Sequence, residues 1–220
     1  MLDRRSLIAG GLVAGGSWFW PFPAIATTAN LYFEARRNGD PIGHHAVRFS
    51  EKEGRLIVDI EISLAVTFAF IPLYRYQHEN REVWTDGRLL RLDSKTDDDG
   101  DEHWVSARAD GNEILVDSSA GRIDVPRDTL PTSYWNEEML TRDVWLDTQA
   151  GVLRRSRVEV LPPGPIVAAG REVEANRYRL AGDIDCELWY HKGRWSKLLF
   201  TASDGSTIDY LLLASSPDAP

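Results

Sequence analysis

The sequence predicts an all-β protein, mainly antiparallel, built as one large curved meander sheet or half-barrel with one short helix near residues 131–140. Three observations carry this expectation. Apolar and polar residues alternate along one long run and several shorter ones. Glycine-containing turn dipeptides punctuate those runs. One segment alone has a helical composition.

The long run covers residues 56–66. Every even position in it is apolar, and Asp59, Glu61 and Ser63 occupy odd positions. That is a half-buried strand, because successive side chains of a strand point to opposite faces. Shorter alternations occupy 31–36, 46–49, 88–92 and 198–200. Between and around them lie Asn38-Gly39, Asp86-Gly87, Asp99-Gly100, Asp110-Gly111, Lys192-Gly193 and Asp204-Gly205. The spacing of the turns at Asp86, Asp99 and Asp110 suggests consecutive antiparallel strands. The helical segment is Pro131-Thr132-Ser133-Tyr134-Trp135-Asn136-Glu137-Glu138-Met139-Leu140, with Thr132 or Ser133 as its expected N-cap and acids in its first turns. Leu161-Pro162-Pro163-Gly164-Pro165 reads as a loop by composition.

Residues 1–26 read as an address rather than as part of the fold. Arg4-Arg5 precedes a glycine-rich apolar stretch that ends in Ala24-Ile25-Ala26, a small-x-small cleavage site. The arginine pair makes this a twin-arginine signal peptide, with the twin-arginine export machinery as partner and the periplasm as destination. Residues 27–214 are then expected to form a single β-rich domain, and 215–220 a disordered tail. No second stretch is apolar for the 18 or so residues a helical span needs, so no stable membrane span is expected after cleavage.

Composition excludes several classes. The hydrophobic fraction of 43% is too high for a disordered chain. Cys186 is the single cysteine, so there is no disulfide framework and no multi-cysteine metal site. A net charge of −9 argues against nucleic acid as a partner, since phosphates require a basic surface.

Motifs for catalysis are missing. Asp97-Asp98-Asp99-Gly100-Asp101-Glu102 superficially suggests a calcium loop. Aligned on Gly100, however, the first ligand position falls on Lys95 and the last on Ser106. A solvated hairpin tip is the better reading. His44 and His45 are adjacent, so on a strand they face opposite ways and cannot jointly chelate. His78, His103 and His191 have no metal-ligand spacing. There is no G-x-S-x-G elbow and no glycine-rich phosphate loop. Asp185 and Glu187 flank Cys186 and would raise its thiol pKa, so it reads as buried and inert. Neither a cofactor nor a metal site is expected.

The aromatic residues carry more information. Trp18 and Trp20 fall in the leader, and the other tryptophans fall in strands or the helical segment. In Leu73-Tyr74-Arg75-Tyr76-Gln77-His78-Glu79, the even positions place Tyr74, Tyr76 and His78 on one face. Large amphipathic rings on a concave sheet can line an apolar pocket that has a polar handle. The candidate ligand-binding residues are Tyr74, Tyr76, His78, Trp84, Tyr134, Trp135 and Trp189. One short helix is too little to cover so large a sheet, so some concave apolar surface is expected to stay open.

Several blocks resemble an uncharacterised family of exported bacterial proteins, known only as a domain of unknown function. They are Ile42-Gly43-His44-His45, Tyr74 to Glu79 through Trp84, Thr96 to Gly100, Pro131 to Asn136, and Leu146-Asp147-Thr148-Gln149-Ala150-Gly151. Gly182-Asp183, Leu188-Trp189-Tyr190, Trp195 and Asp204 to Ile208 complete the set. The resemblance implies no activity and no catalytic residues. The architecture also looks like that of curved-sheet periplasmic proteins related to lipoprotein localisation factors. The expected function is binding of an apolar small molecule, lipid or lipid-modified partner on a concave sheet. An enzyme acting on an envelope lipid is the alternative, with His78, Glu79, Tyr134, Asn136 and Tyr76 as its candidate groups. A structural or assembly role in the cell envelope is the third reading.

Overall fold

The computed structural model describes residues 29–68 and 71–216. The leader lies outside these residues, as does the end of the expected tail.

The first eight strands are β1 (Asn30–Arg37), β2 (Asp40–Lys52), β3 (Arg55–Phe68), β4 (Ile71–Thr85), β5 (Arg88–Asp98), β6 (Asp101–Asp110), β7 (Glu113–Ser118) and β8 (Gly121–Pro126). Each pairs antiparallel with the next, as the turn spacing predicts. The remainder are β9 (Leu130–Pro131), β10 (Val144–Leu146), β11 (Leu153–Ala168), β12 (Arg171–Gly182), β13 (Cys186–His191), β14 (Arg194–Thr201) and β15 (Thr207–Ser216). β15 continues through Ser215 and Ser216, into the stretch expected to be a tail.

All fifteen strands form one sheet in the order β8-β7-β6-β5-β4-β3-β2-β1-β15-β14-β13-β12-β11-β10-β9. Pairing is antiparallel throughout except for the short β9–β10 contact. The sheet curls strongly: at the far end of β11, the Ala169 N–H donates to the Leu212 carbonyl on β15 at 2.7 Å. It does not close, and the result is the curved half-barrel that the alternation predicts.

Two local expectations are corrected. The helix is a five-residue 3-10 turn, Glu137–Thr141, capped by Asn136 rather than by Thr132 or Ser133. The Asn136 side chain accepts from the Glu138 N–H at 3.0 Å, and the preceding residues are drawn into contacts with the sheet. Leu161-Pro162-Pro163-Gly164-Pro165 lies inside β11 and is not a loop. A bulge between Leu161 and Gly164 absorbs the first two prolines. On the other side, β10 reaches only Leu153 to Arg155, so the missing proline N–H groups have no ladder to serve there.

The two faces of the sheet differ sharply. The inner face buries Phe33, Trp84, Trp145, Tyr190 and Trp195 almost completely. The outer face carries rows of ion pairs, among them Arg81–Asp59 at 2.6 Å and Arg48–Glu61 at 3.1 Å. A strap of residues 127–152, containing β9, the 3-10 turn and β10, lies across the inner face. Cover for the concave surface therefore comes from the whole strap and not from the helical turn alone. Gly151 at its end sits so close to β7 that a Cβ would stand 2.5 Å from the Ser118 Cβ.

Candidate functional site

Alternation along β4 turns Tyr74, Tyr76, His78, Asn80, Glu82 and Trp84 inward and Arg75, Gln77, Glu79 and Arg81 outward. The inward set meets the strap at two polar nodes.

The first node is Glu82, a carboxyl group with 0% exposure. It accepts from Trp84 Nε1, Trp135 Nε1 and Asn80 Nδ2, each at 2.9 Å. Burial raises its pKa, while bonds from Trp135, Asn80, Ser133 and Trp84 act in the opposite direction. The Trp84 and Trp135 rings meet edge to face at 5.3 Å, so the strap is fastened here by both packing and hydrogen bonds.

The second node gathers Tyr74, Tyr76, His78 and Gln149. Tyr76 donates to Gln149 Oε1 at 3.1 Å, and Gln149 Nε2 donates to Asp98 Oδ2 at 3.2 Å. Tyr74 donates to the other Asp98 oxygen at 2.7 Å. His78 Nδ1 lies 2.8 Å from Thr96 Oγ1. Burial lowers the His78 pKa to about 4, against the opposing charge of Asp147. Burial raises the phenol pKa of Tyr76 well above the usual range, and charges at Tyr210 and Asp98 add to it.

A row of cross-strand partners leads inward from this node: Thr96, His78, Ile62, His45 and Phe33. His45 is buried within an aromatic cluster. Trp195 lies edge-on at 5.0 Å, Tyr210 edge-on at 5.5 Å and Phe33 at 6.1 Å. Neither ring nitrogen of His45 has a hydrogen-bond partner among the described residues. Burial first, then the charges of His78 and His44, hold its pKa down to about 3. Tyr134, on the strap, packs 5.7 Å from Trp195 and closes the cluster.

The structure thus sets Tyr74, Tyr76 and His78 side by side on the inner face of β4, and Tyr134 on the strap against Trp195 of the His45 cluster. It places Trp84 and Trp135 together at the Glu82 node. Trp189 stands apart on the outer face, sandwiched between the Arg177 guanidinium at 5.3 Å and the Lys197 ammonium at 5.0 Å. The alternation Cys186, Leu188, Tyr190 on the inner face already implies this position.

The remaining candidate groups also find their places. His44 faces outward toward Glu61 while His45 faces in. His78 faces in and Glu79 out, so they cannot act as a joint acid–base pair. Asn136 is committed to capping. Cys186 is buried, and burial pushes its thiol up to about 12, with Asp185 and Glu187 adding to the shift. The acids of 97–102 form the β5–β6 hairpin tip, where Asp97 accepts from the Gly100 N–H at 2.7 Å. Among the described residues, no group of three or more His, Cys, Asp or Glu is placed to hold a metal ion.

His45, Glu82, Tyr210 and Gln149 are the inner-site residues that motif reading missed. Glu82 carried a legible signal: an acid at an even position within the inward series from Tyr74 to Trp84. Gln149 stood in a block that carries the family resemblance, but nothing local showed that its side chain reaches β4, because its position depends on the course of the strap.

No curated protein matches the sequence. The structure is similar to a β-barrel-like protein of a domain of unknown function, DUF1849, from Brucella abortus. The TM-score is 0.61 at 11% identity, covering 86% of this chain and 96% of that one. That likeness concerns the fold. The model of a domain of unknown function, DUF6134, matches residues 33–213, and the chain belongs to that family.

Proposed function

We propose that this is an exported, periplasmic binding protein whose inner crevice takes an apolar molecule or lipid-linked group bearing one polar end. The carrying observation is His45: a buried imidazole with both nitrogens unpartnered among the described residues, surrounded by Phe33, Trp195 and Tyr210. An unsatisfied buried polar group costs about 1–3 kcal/mol, which a ligand's polar end would recover. Aromatic walls suit an apolar body. Beside Tyr74 and Tyr76 the strap is held by hydrogen bonds from Tyr76 to Gln149 and from Gln149 to Asp98, which a ligand can displace. Export rests on the Arg4-Arg5 leader and the Ala24-Ile25-Ala26 site.

Two measurements test this reading. Periplasmic extracts should contain a chain shortened at Ala26; a full-length chain held in the cytoplasm contradicts export. Native mass spectrometry of the exported protein should show an adduct that organic extraction removes. A bare chain that gains no adduct on incubation with envelope lipid contradicts the binding role.

A further inference from the structure

The outer face carries a second feature, remote from the strap. A trough of about 560 Å3 crosses β2 to β6, and a hollow of about 450 Å3 adjoins it. The two share Glu79, Lys95 and Trp104. Strands spaced about 4.8 Å apart make the trough roughly 20 Å long. Trp104 stands where trough and hollow meet and is 44% exposed, the only tryptophan among the described residues so exposed. Its cross-strand partner is Lys95, and no other aromatic ring among the described residues stacks on it.

Most of the charges here already neutralise one another. Arg81 grips both oxygens of Asp59, at 2.6 and 3.1 Å. Arg48 holds Glu61 at 3.1 Å, and Arg91 holds Asp93, which also accepts from Ser106 at 3.0 Å. A charged ligand would have to break these pairs. A neutral ligand rich in hydroxyl groups can add hydrogen bonds to their remaining donors and lone pairs. Beside Trp104, Glu79 and Glu102 together outweigh the single positive charge of Lys95, which disfavours an anionic ligand. An exposed flat apolar ring inside a fixed polar frame suits a ligand with an apolar face and hydroxyl edges.

We infer that the trough is a binding site for a neutral oligosaccharide, with one pyranose ring lying on the Trp104 indole and its hydroxyls bonded to the flanking ion pairs. The site lies on the opposite face of the sheet from the inner crevice, and its Trp104, Lys95 and Glu79 side chains take no part in the inner nodes.

The test is a titration of the exported chain with N-acetylchitotetraose and, separately, cellotetraose, followed at the tryptophan Nε1–H resonances by NMR. At least one sugar should shift the Trp104 resonance saturably, and Trp104→Ala should weaken binding at least tenfold without lowering Tm. Trp104→Phe, which keeps a ring, should retain part of the affinity. Absence of a saturable shift with both sugars overturns the inference, as does undiminished binding by Trp104→Ala. A shift of Trp104 by spermidine but by neither sugar also overturns it, marking a cation site instead.

Discussion

The Tyr190 hydroxyl donates to the backbone carbonyl of Tyr134 at 2.7 Å, and Tyr134 holds a φ of +62°. The Trp135 N–H closes a three-residue turn onto the Ser133 carbonyl at 2.8 Å, with Tyr134 at its centre. A bulky aromatic residue rarely adopts this conformation, which costs about 1–3 kcal/mol. The sheet therefore holds the strap in a strained turn, and that turn delivers the Tyr134 ring to the His45 cluster. Tyr190→Phe should leave the carbonyl unpartnered and cost about 1–3 kcal/mol. In a chain of this size that lowers Tm by a few degrees, readable by calorimetry. An unchanged Tm would show that this bond does not hold the turn.

Gly43→Ala should be among the most damaging single changes. A Cβ at Gly43 would stand 1.9 Å from the Ser63 carbonyl oxygen, at φ +150° in β2. The obstacle is backbone, so relief requires β2 and β3 to separate. A loss of about 3–4 kcal/mol is expected in denaturant unfolding. Gly39→Ala is the control: open space surrounds its Cβ position, and only the positive φ penalises it, by about 1 kcal/mol.

Stability should fall in mild acid because of His45 and His78. Their folded pKa values, about 3 and about 4, lie below the ordinary 6.5. The unfolded chain therefore binds protons that the folded one refuses. Stability is full above pH 6.5 and declines below it, until pH reaches the folded values. Each histidine contributes up to about 1.4 kcal/mol per pH unit in that window. His45→Phe should remove close to half of this slope, measured by urea unfolding between pH 4.5 and 6.5.

Glu82 acts in the opposite direction. Burial raises its folded pKa, so its contribution is present below about pH 4.5 and is lost as pH rises through the raised value. Glu82→Gln keeps an oxygen for the two indole N–H groups. Its amide nitrogen can bond Asn80 Oδ1, which has no partner among the described residues of the wild-type protein, once Asn80 reorients. This variant should show a steeper gain in stability with rising pH than the wild type, because the opposing carboxyl is gone. An identical pH profile would show that Glu82 does not change its charge in this range.

The sheet was legible because alternation and turn chemistry are local. The even positions of β4 place Tyr74, Tyr76 and His78 on the inner face from sequence alone. Glu53-Gly54 and Ala169-Gly170 form turns with both residues at positive φ, as in Asn38-Gly39, yet without an Asx residue they carry a weaker signal. The β11 prolines were misleading because composition cannot tell a loop from a bulged strand with an open edge. The strap was the main element out of reach. Its course across the sheet depends on long-range contacts such as Trp135 with Glu82 and Tyr76 with Gln149, and no local pattern encodes them. His45 was visible as an alternating residue, but the isolation of its ring nitrogens emerged only from the packing around it.

The most direct test of the inner crevice is the ring-nitrogen NMR spectrum of histidine-labelled protein, titrated with lauric acid and with lysophosphatidylcholine below their micelle thresholds. Binding in the crevice predicts saturable shifts at His45 and His78, with the outward-facing His44 unmoved. A shift confined to His44, or no shift at any histidine, would contradict it.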